Sequence, residues 1–226
     1  MDLYEAMRTT FAAREFTSDP LPDDVLYRIL DNARFAPSGG NRQGWHVIVV
    51  RDAATRGALS RLAEPGAKRY AAQLRAGQSP WNPLEPPAVD AAAIAATPAP
   101  RSLTQPVLDA AVVLVVCVEL RLLAATDQHL GRVGIVGGAS VYPFAWNVLL
   151  AARAEGFGGV ITTIAIAEEP KVKALLGIPD DVAVAAIIPL GRPARRLRKL
   201  TRRPVSEFTT LERWDGPGLR PSAGGG

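Results

Sequence analysis

The sequence contains Ala36-Pro37-Ser38-Gly39-Gly40-Asn41-Arg42-Gln43-Gly44-Trp45, a polar segment between a helical pattern of apolar residues and a strand pattern. Pro37 ends the helical pattern, because proline lacks an N–H group and restricts the residue before it. The serine, asparagine and glutamine side chains donate and accept hydrogen bonds, and the glycines let backbone N–H groups come close to a ligand. Such a segment can bind the edge of a flavin, but on these ten residues alone a polar turn with an asparagine cap is the favoured interpretation.

The segment resembles the Ala-Pro-Ser-x-x-Asn-x-Gln-x-Trp motif of the nitroreductase family of flavoenzymes, and other segments between about residues 3 and 214 resemble that family in order and spacing. The resemblance implies an α+β protein of the nitroreductase-like fold, with a central mixed β-sheet flanked by helices. It also implies an intertwined homodimer that binds FMN at the subunit interface. The flavin-binding residues that it implies in this segment are Pro37, Ser38, Gly39, Asn41 and Gln43.

The size and composition of the chain suit one large domain. The chain has 226 residues, of which 48% are hydrophobic, and a net charge of +4. With the resemblance, this predicts an FMN-binding domain over residues 1–214 and a disordered glycine-rich tail over 215–226. No apolar run reaches the ~18 residues of a membrane span. The single cysteine and the absence of a secretory leader predict a cytoplasmic protein without a membrane partner.

An arginine near the N-terminus is the next match to the family. Arg14-Glu15-Phe16 resembles the end of its Arg-Arg-Ser-x-Arg-x-Phe signature, which implies that Arg14 binds the flavin. The first three positions of the signature hold Thr10, Phe11 and Ala12, so the usual phosphate-binding pair and serine are missing. Arg8 lies one helical turn away and is the candidate replacement. The alternative for Arg14 is an exposed cation at a helix end.

Apolar periodicity predicts the main elements of the fold. The predicted helices are residues 2–13, 25–35, 52–75 (as one or two helices), 140–155 and 168–176, and the predicted strands are 46–50, 110–120 and 182–190. Pro22 is placed at the first position of the second helix. All three strands, at 46–50, 110–120 and 182–190, are predicted to be buried, with Cys117 as an inert core residue. Helix 140–155 resembles the dimer-interface helix of the family.

The proline-rich segment 77–106 shows no periodic pattern and is predicted to be a structureless loop. The resemblance implies a lid over the substrate face of the flavin, for which Trp81 would supply an apolar ceiling. A mobile linker is an equal alternative. The Glu, Tyr and Lys constellation of the deiodinase branch is not found in residues 64–78, so a halotyrosine substrate is not predicted.

A glycine-rich turn leads into a β-branched segment at residues 156–164. It resembles the Gly-Leu-Gly turn of the family and the strand end beside the isoalloxazine ring. The resemblance implies that Thr162, Thr163 and Ile164 place hydroxyl or N–H groups at flavin N5. Taken alone, the segment is better explained as a helix C-cap glycine that enters a strand.

A strongly basic segment spans residues 192–203, with seven arginine and lysine residues and no acidic residue. Arg202-Arg203-Pro204 resembles the Arg-Lys-Pro of the family, which implies that Arg202, or else Arg203, contacts the flavin phosphate or pyrimidine edge. A solvated surface is the simpler alternative. A nucleic-acid partner is not predicted, because few aromatic residues accompany the charges.

The resemblance implies an FMN-dependent oxidoreductase. Hydride would come from NAD(P)H and pass through the flavin to a small electron acceptor, such as a nitroaromatic or quinone-like molecule. No catalytic side chain and no metal site are predicted, because the cofactor carries the chemistry in such enzymes. The alternative is a non-enzymatic protein of the same fold that binds or sequesters flavin.

Overall fold

The computed structural model describes residues 2–197 and 199–221. They form two compact units, one that ends at Arg196 and one that begins at Leu197. Residues 222–226 of the predicted tail and Arg198 of the basic segment lie outside the described residues. The extent of the predicted domain, residues 1–214, stays a prediction.

The first unit contains seven α-helices and four β-strands among its described residues. The helices are α1 (Leu3–Thr9), α2 (Asp23–Ala33), α3 (Ala53–Arg75), α4 (Ala91–Ala96), α5 (Arg101–Asp109), α6 (Tyr142–Ala154) and α7 (Glu169–Leu176). The strands are β1 (Trp45–Val50), β2 (Val112–Glu119), β3 (Gly158–Gly159) and β4 (Val182–Gly191). None of the helices in the described ranges has the length and apolarity needed to cross a membrane.

The four strands form one sheet in the order β1-β2-β4-β3, and each neighbouring pair is antiparallel. An isolated parallel bridge joins Ala12 to Gly159 beside β3. The α+β class is therefore confirmed. The mixed sheet that the resemblance implied is not observed, because all three strand pairings among the described residues are antiparallel. β2 lies inside the sheet, and residues 112–118 are all buried, as its continuous apolar sequence predicted.

The prediction of a buried first strand is wrong. β1 is an edge strand of the sheet, and His46 and Val49 are exposed. The sequence of β1 is apolar nearly throughout, which is the pattern of a strand with neighbours on both sides. In the described sheet, however, β1 pairs with β2 alone. Pro22 is the N-cap of α2 rather than its first helical residue, because Asp23 begins the helix.

Two hydrophobic cores pack against opposite faces of the sheet. On one face, α2 and α6 cover Leu114 and Val116 of β2. On the other face, α3, α5 and α7 cover Val113, Val115 and Cys117. Burial raises the pKa of the Cys117 thiol to about 11, which agrees with an inert core residue.

The prediction of a structureless loop over residues 77–106 is also wrong. Helix α4 and the first part of α5 fall within it. The Asp90 side chain caps α4 by accepting a hydrogen bond of 2.8 Å from the N–H of Ala93. Pro100 precedes the first residue of α5. Helix α3 is a single helix that continues through Pro65.

The second unit, over its described residues, has one short 3-10 turn at Val205–Glu207. A hydrogen bond of 2.9 Å from the N–H of Leu211 to the carbonyl oxygen of Pro217 closes a further turn.

Candidate functional site

Two cavities of the first unit share a wall at Thr163 and Ile164. The smaller has a volume of about 180 Å³, and the larger about 470 Å³. The lining of the smaller cavity includes five residues with polar side chains, which are Arg14, Tyr70, Ser102, Thr162 and Thr163. The lining of the larger cavity is mostly apolar. Together the cavities have a polar end and an apolar end, as small-molecule sites commonly do.

Arg14 is exposed, as the alternative interpretation predicted, and it is also the cation among the residues that line the smaller cavity. It follows Ala13, whose N–H donates a hydrogen bond of 2.9 Å to the carbonyl oxygen of Gly159. This bond fixes the N-terminal segment to β3 and so positions the arginine. The Arg14 side chain makes no ion pair or hydrogen bond with any other residue in the described ranges. Its guanidinium is therefore available to an anion or a carbonyl edge.

Thr162, Thr163 and Ile164 are held against β4 and α3. Thr162 exchanges two backbone hydrogen bonds of 2.9 Å with Ile187 of β4. Gly66 of α3 lies so close to Ile164 that a Cβ atom there would be 2.6 Å from its carbonyl oxygen. The N–H groups of Thr163 and Ile164 donate to no backbone acceptor within the described residues. They remain open donors beside the cavities.

The Pro37–Gln43 loop lines neither cavity. The N–H of Gln43 donates to Ser38 Oγ at 2.9 Å, and the Gln43 side chain donates to Asn41 Oδ1 at 3.2 Å. Asn41 and Gln43 both have left-handed backbone conformations, with φ of 53° and 50°. Both are exposed, and so is Pro37. The loop is thus internally fixed, and its three exposed residues belong to the lining of neither cavity of its own chain.

The buried carboxylate of Asp127 stabilises the segment that packs against this loop. Asp127 belongs to none of the motifs found in the sequence. Asp127 is 4% exposed and accepts hydrogen bonds from the N–H groups of Ile135 and Val136 at 2.8 and 3.2 Å, and from Arg132 at 2.7 Å. These bonds lower the pKa of Asp127 to about 2, the N–H of Ile135 being the largest cause.

Asp127 lies within the segment 124–140. Both ends of this segment contact Gly39 of the loop. Ser140 Oγ accepts a hydrogen bond of 3.0 Å from the N–H of Gly39. A Cβ atom at Gly39 would lie 2.9 Å from the Cβ atom of Ala124. Asp127 therefore supports the conformation of the loop without belonging to it.

Replacing Asp127 with asparagine is expected to lower the urea midpoint at pH 7, because the amide is a weaker acceptor for three donors. The pKa of Asp127 is lower in the folded chain than its ordinary value of 3.8. The ionised Asp127 therefore stabilises the folded chain above about pH 4, and this stabilisation is lost as the pH falls towards 2. The difference in midpoint between the natural chain and Asp127→Asn should shrink over that window. Asp31→Asn, which alters an exposed ion pair with Arg34, is the matched control. A difference that is constant from pH 7 to 2 would contradict the assignment.

The remaining predicted site residues lie apart from the cavity lining or in the second unit. Arg8 is exposed on α1 and lines neither cavity. Arg202 and Arg203 are exposed in the second unit, where Arg202 donates to the carbonyl oxygen of Thr201 at 2.8 Å. Within the first unit, the start of the basic segment is partly neutralised, because Arg192 and Arg195 pair with Asp19 and Glu15.

Two lining residues, Tyr70 of α3 and Ser102 of α5, were not identified from sequence. Neither belongs to a motif. Both come to the cavity through the packing of two helices, one of which was predicted to be a loop. The one local signal is Pro100, the N-cap of α5, which lies two residues before Ser102.

Comparison with known proteins identifies a family and a set of similar structures. A model of the nitroreductase family matches residues 7–192. The NADH dehydrogenase of Thermus thermophilus is 29% identical over 189 residues, which cover 80% of this chain and 82% of that protein. The structure of an iodotyrosine deiodinase bound to FMN and 3-iodo-L-tyrosine has a TM-score of 0.65 and 21% identity, and covers 90% of this chain and 96% of its own. The NADPH:FMN oxidoreductase of Vibrio harveyi, complexed with NAD+, has a TM-score of 0.64 and 21% identity, and covers 93% of this chain and 77% of its own. These matches confirm the predicted fold.

Proposed function

Because the chain belongs to the nitroreductase family, we propose that it binds FMN beside Thr163 and Ile164 and transfers reducing equivalents from NAD(P)H to a small electron acceptor. The observation that carries the proposal is that three residues with open donor groups line the smaller cavity. These are Arg14, which has no ionic partner in the described ranges, and Thr163 and Ile164, whose N–H groups donate to no backbone acceptor there.

The donor set fits the chemistry of a flavin. When bound, FMN supplies the hydride-accepting and electron-donating chemistry that no amino-acid side chain has. Open N–H groups suit an acceptor such as flavin N5, and a cation suits either the phosphate or the edge that gains negative charge on reduction. The hydroxyl groups of Tyr70, Ser102 and Thr162 suit a polyol chain. The protein would therefore bind and orient the cofactor and favour its anionic form, without a catalytic acid or base.

A homodimer would complete the site. The Pro37–Gln43 loop is exposed at Pro37, Asn41 and Gln43 and lines neither cavity of its own chain, so a second copy could contact it. Tyr142 and Trp146 of α6 leave apolar surface exposed, which a partner helix would cover. We propose that each site takes the loop from one copy and Arg14 with Thr162–Ile164 from the other. Arg202 and Arg203 stay proposed phosphate contacts by resemblance.

The proposed cofactor and reductant agree with the similar structures. The deiodinase structure holds FMN, and the Vibrio harveyi protein is an NADPH:FMN oxidoreductase complexed with NAD+. For this chain we propose a nitroaromatic or quinone-like acceptor and a cytoplasmic location. A second candidate, a protein that only sequesters flavin, is favoured by one observation. Thr10, Phe11 and Ala12 stand where the family has its phosphate-binding signature.

The test is reconstitution with FMN followed by anaerobic addition of NADH or NADPH. We expect a yellow dimeric protein, measured by light scattering, whose absorbance near the visible flavin band is lost with one of the two nicotinamides. A yellow protein that neither nicotinamide bleaches would favour the sequestering protein. A chain that binds no FMN would overturn both.

A further inference from the structure

A further cavity of the first unit lies at one end of the sheet. Its volume is about 500 Å³, and it shares no lining residue with the two cavities beside Thr163 and Ile164. His46 of β1 is paired with Cys117 of β2, so their side chains lie on one face of the sheet. Glu119 lies two residues after Cys117 in β2 and is on the same face. A cavity of this size suits a small-molecule ligand.

The end of α7 forms a well-defined wall of this cavity. Gly177 has a left-handed φ of 66°, and the N–H of Ile178 donates a hydrogen bond of 3.0 Å to the carbonyl oxygen of Lys173. This is the usual glycine-terminated end of a helix. Lys173 Nζ also donates to the carbonyl oxygen of Asp180 at 3.0 Å. These bonds fix the turn that leads from α7 to Asp181.

Part of the cavity lining is apolar and belongs to the core on this face of the sheet. Cys117 and Ile178 are buried core residues, and Ile48, Leu176 and Val182 pack against the same core. An aromatic ring or a short alkyl chain would lose contact with water by packing on these side chains. The cavity therefore suits a ligand with an apolar body.

The charged side chains of the lining leave one carboxylate uncompensated. Oε2 of Glu119 accepts hydrogen bonds from Nε and Nη2 of Arg121 at 3.0 and 2.7 Å, so these two charges offset each other. The N–H of Leu120 donates to the carbonyl oxygen of Asp181 at 3.0 Å, which holds Asp181 next to this pair. The Asp181 carboxylate has no ion pair and no hydrogen bond among the described residues. A ligand cation would supply the missing partner.

This negative charge suits an organic cation better than a metal ion or an anion. Within the described ranges, no group of three or more His, Cys, Asp or Glu side chains could hold a metal ion. An anion would meet the carboxylates of Asp181 and Glu119, which both line the cavity. An ammonium group on an apolar body would match both parts of the lining.

We propose that this cavity is a second ligand site, separate from the flavin cavities, for a small primary amine that carries an aromatic ring or an alkyl chain. Asp181 binds the ammonium group, and the side chains of Ile48, Leu176 and Ile178 pack against the apolar body. This inference goes beyond the proposed function, because none of the lining residues belongs to the two cavities assigned to the flavin.

The test uses 2-phenylethylamine, with 2-phenylethanol as its neutral analogue and phenylacetate as its anionic analogue. The chain has two histidines, so the C2 proton of His46 reports on the cavity in a proton NMR spectrum. The signal of His129, an exposed residue outside the lining, is the internal reference, and His129→Gln assigns the two signals. We expect the His46 signal to shift, with the amine bound about three- to fivefold more tightly than the alcohol and phenylacetate bound most weakly.

Three variants separate the contact with Asp181 from a general effect of charge. Asp181→Asn should weaken amine binding about three- to fivefold and leave the binding of the alcohol unchanged. Asp180→Asn removes the neighbouring exposed carboxylate, which does not line the cavity, and is the matched control. Arg121→Ala should tighten amine binding about two- to threefold, because it frees the charge of Glu119. An unfolded variant cannot produce such a gain.

The titrations are made with and without added FMN, so that this proposal and the proposed function fail separately. A His46 signal that no probe shifts, or equal affinities for the amine and phenylacetate, would overturn the site. Equal losses in Asp180→Asn and Asp181→Asn would overturn the role of Asp181. Release of FMN by the amine would place the amine in the flavin cavities. A chain that binds no FMN but gives the expected His46 shifts would overturn the proposed function alone.

Discussion

Arg14→Ala is expected to weaken FMN binding about 10- to 100-fold, which is the loss of one hydrogen-bonded charge contact. Arg14 lines the smaller cavity and has no ionic partner in the described residues, so none of these residues neutralises its charge. The measurement is a titration of the apoprotein with FMN, followed by quenching of flavin fluorescence.

A parallel titration with riboflavin locates the contact. If Arg14 pairs with the phosphate, the variant should lose affinity for FMN and keep its affinity for riboflavin. If Arg14 contacts the ring edge, both affinities should fall by the same factor. Arg14→Lys should recover part of the FMN affinity in the first case, since a lysine keeps the charge but not the planar fork.

Arg121→Ala is the matched control for the loss of one arginine charge. Arg121 pairs with Glu119 at 2.7 Å and lines a different cavity, beside His46 and Cys117, so FMN affinity should not change.

The same titration on Arg8→Ala tests the second cation that the resemblance implied. Unchanged FMN affinity in Arg14→Ala would contradict the assignment of the smaller cavity to the flavin.

The parts of the site that could be predicted from sequence are those that lie in continuous motifs. Arg14 and Thr162–Ile164 come from separate motifs, and the structure brings them to one cavity because the segment before Arg14 pairs with β3. Asp127, Tyr70 and Ser102 could not be found in this way. Each acts through a tertiary contact or a buried hydrogen-bond network, and no local pattern encodes such a contact.

The limits of the fold prediction have similar causes. β2 was predictable because a strand that is buried on both faces is apolar throughout. β1 has nearly the same composition, yet it is an edge strand, since pairing depends on the other strands and not on its own residues. The helix α4 was missed because the prolines around it dominated the pattern, although Asp90 is a good N-cap.

Gly66→Ala is expected to destabilise the protein by about 1–3 kcal/mol and to weaken FMN binding as well. An alanine normally favours a helix interior over glycine by about 1 kcal/mol. At Gly66 the new methyl group would lie 2.6 Å from the carbonyl oxygen of Ile164 and 3.0 Å from its Cγ2, so the backbone beside the cavities must move. The measurements are the urea midpoint of the apoprotein and the FMN affinity of the folded variant.

Gly57→Ala provides the control in the same helix. A Cβ atom at Gly57 meets only the end of the flexible Arg61 side chain, at 3.4 Å. This variant should therefore gain about 0.5–1 kcal/mol and keep its FMN affinity, because the helix loses a flexible residue and nothing is displaced. Suppose that Gly66→Ala gained as much stability as Gly57→Ala and bound FMN with unchanged affinity. The close contact between α3 and Ile164 would then not determine the position of Ile164. The proposed N–H contacts at the flavin would then lack the support that the packing of α3 on Ile164 gives them.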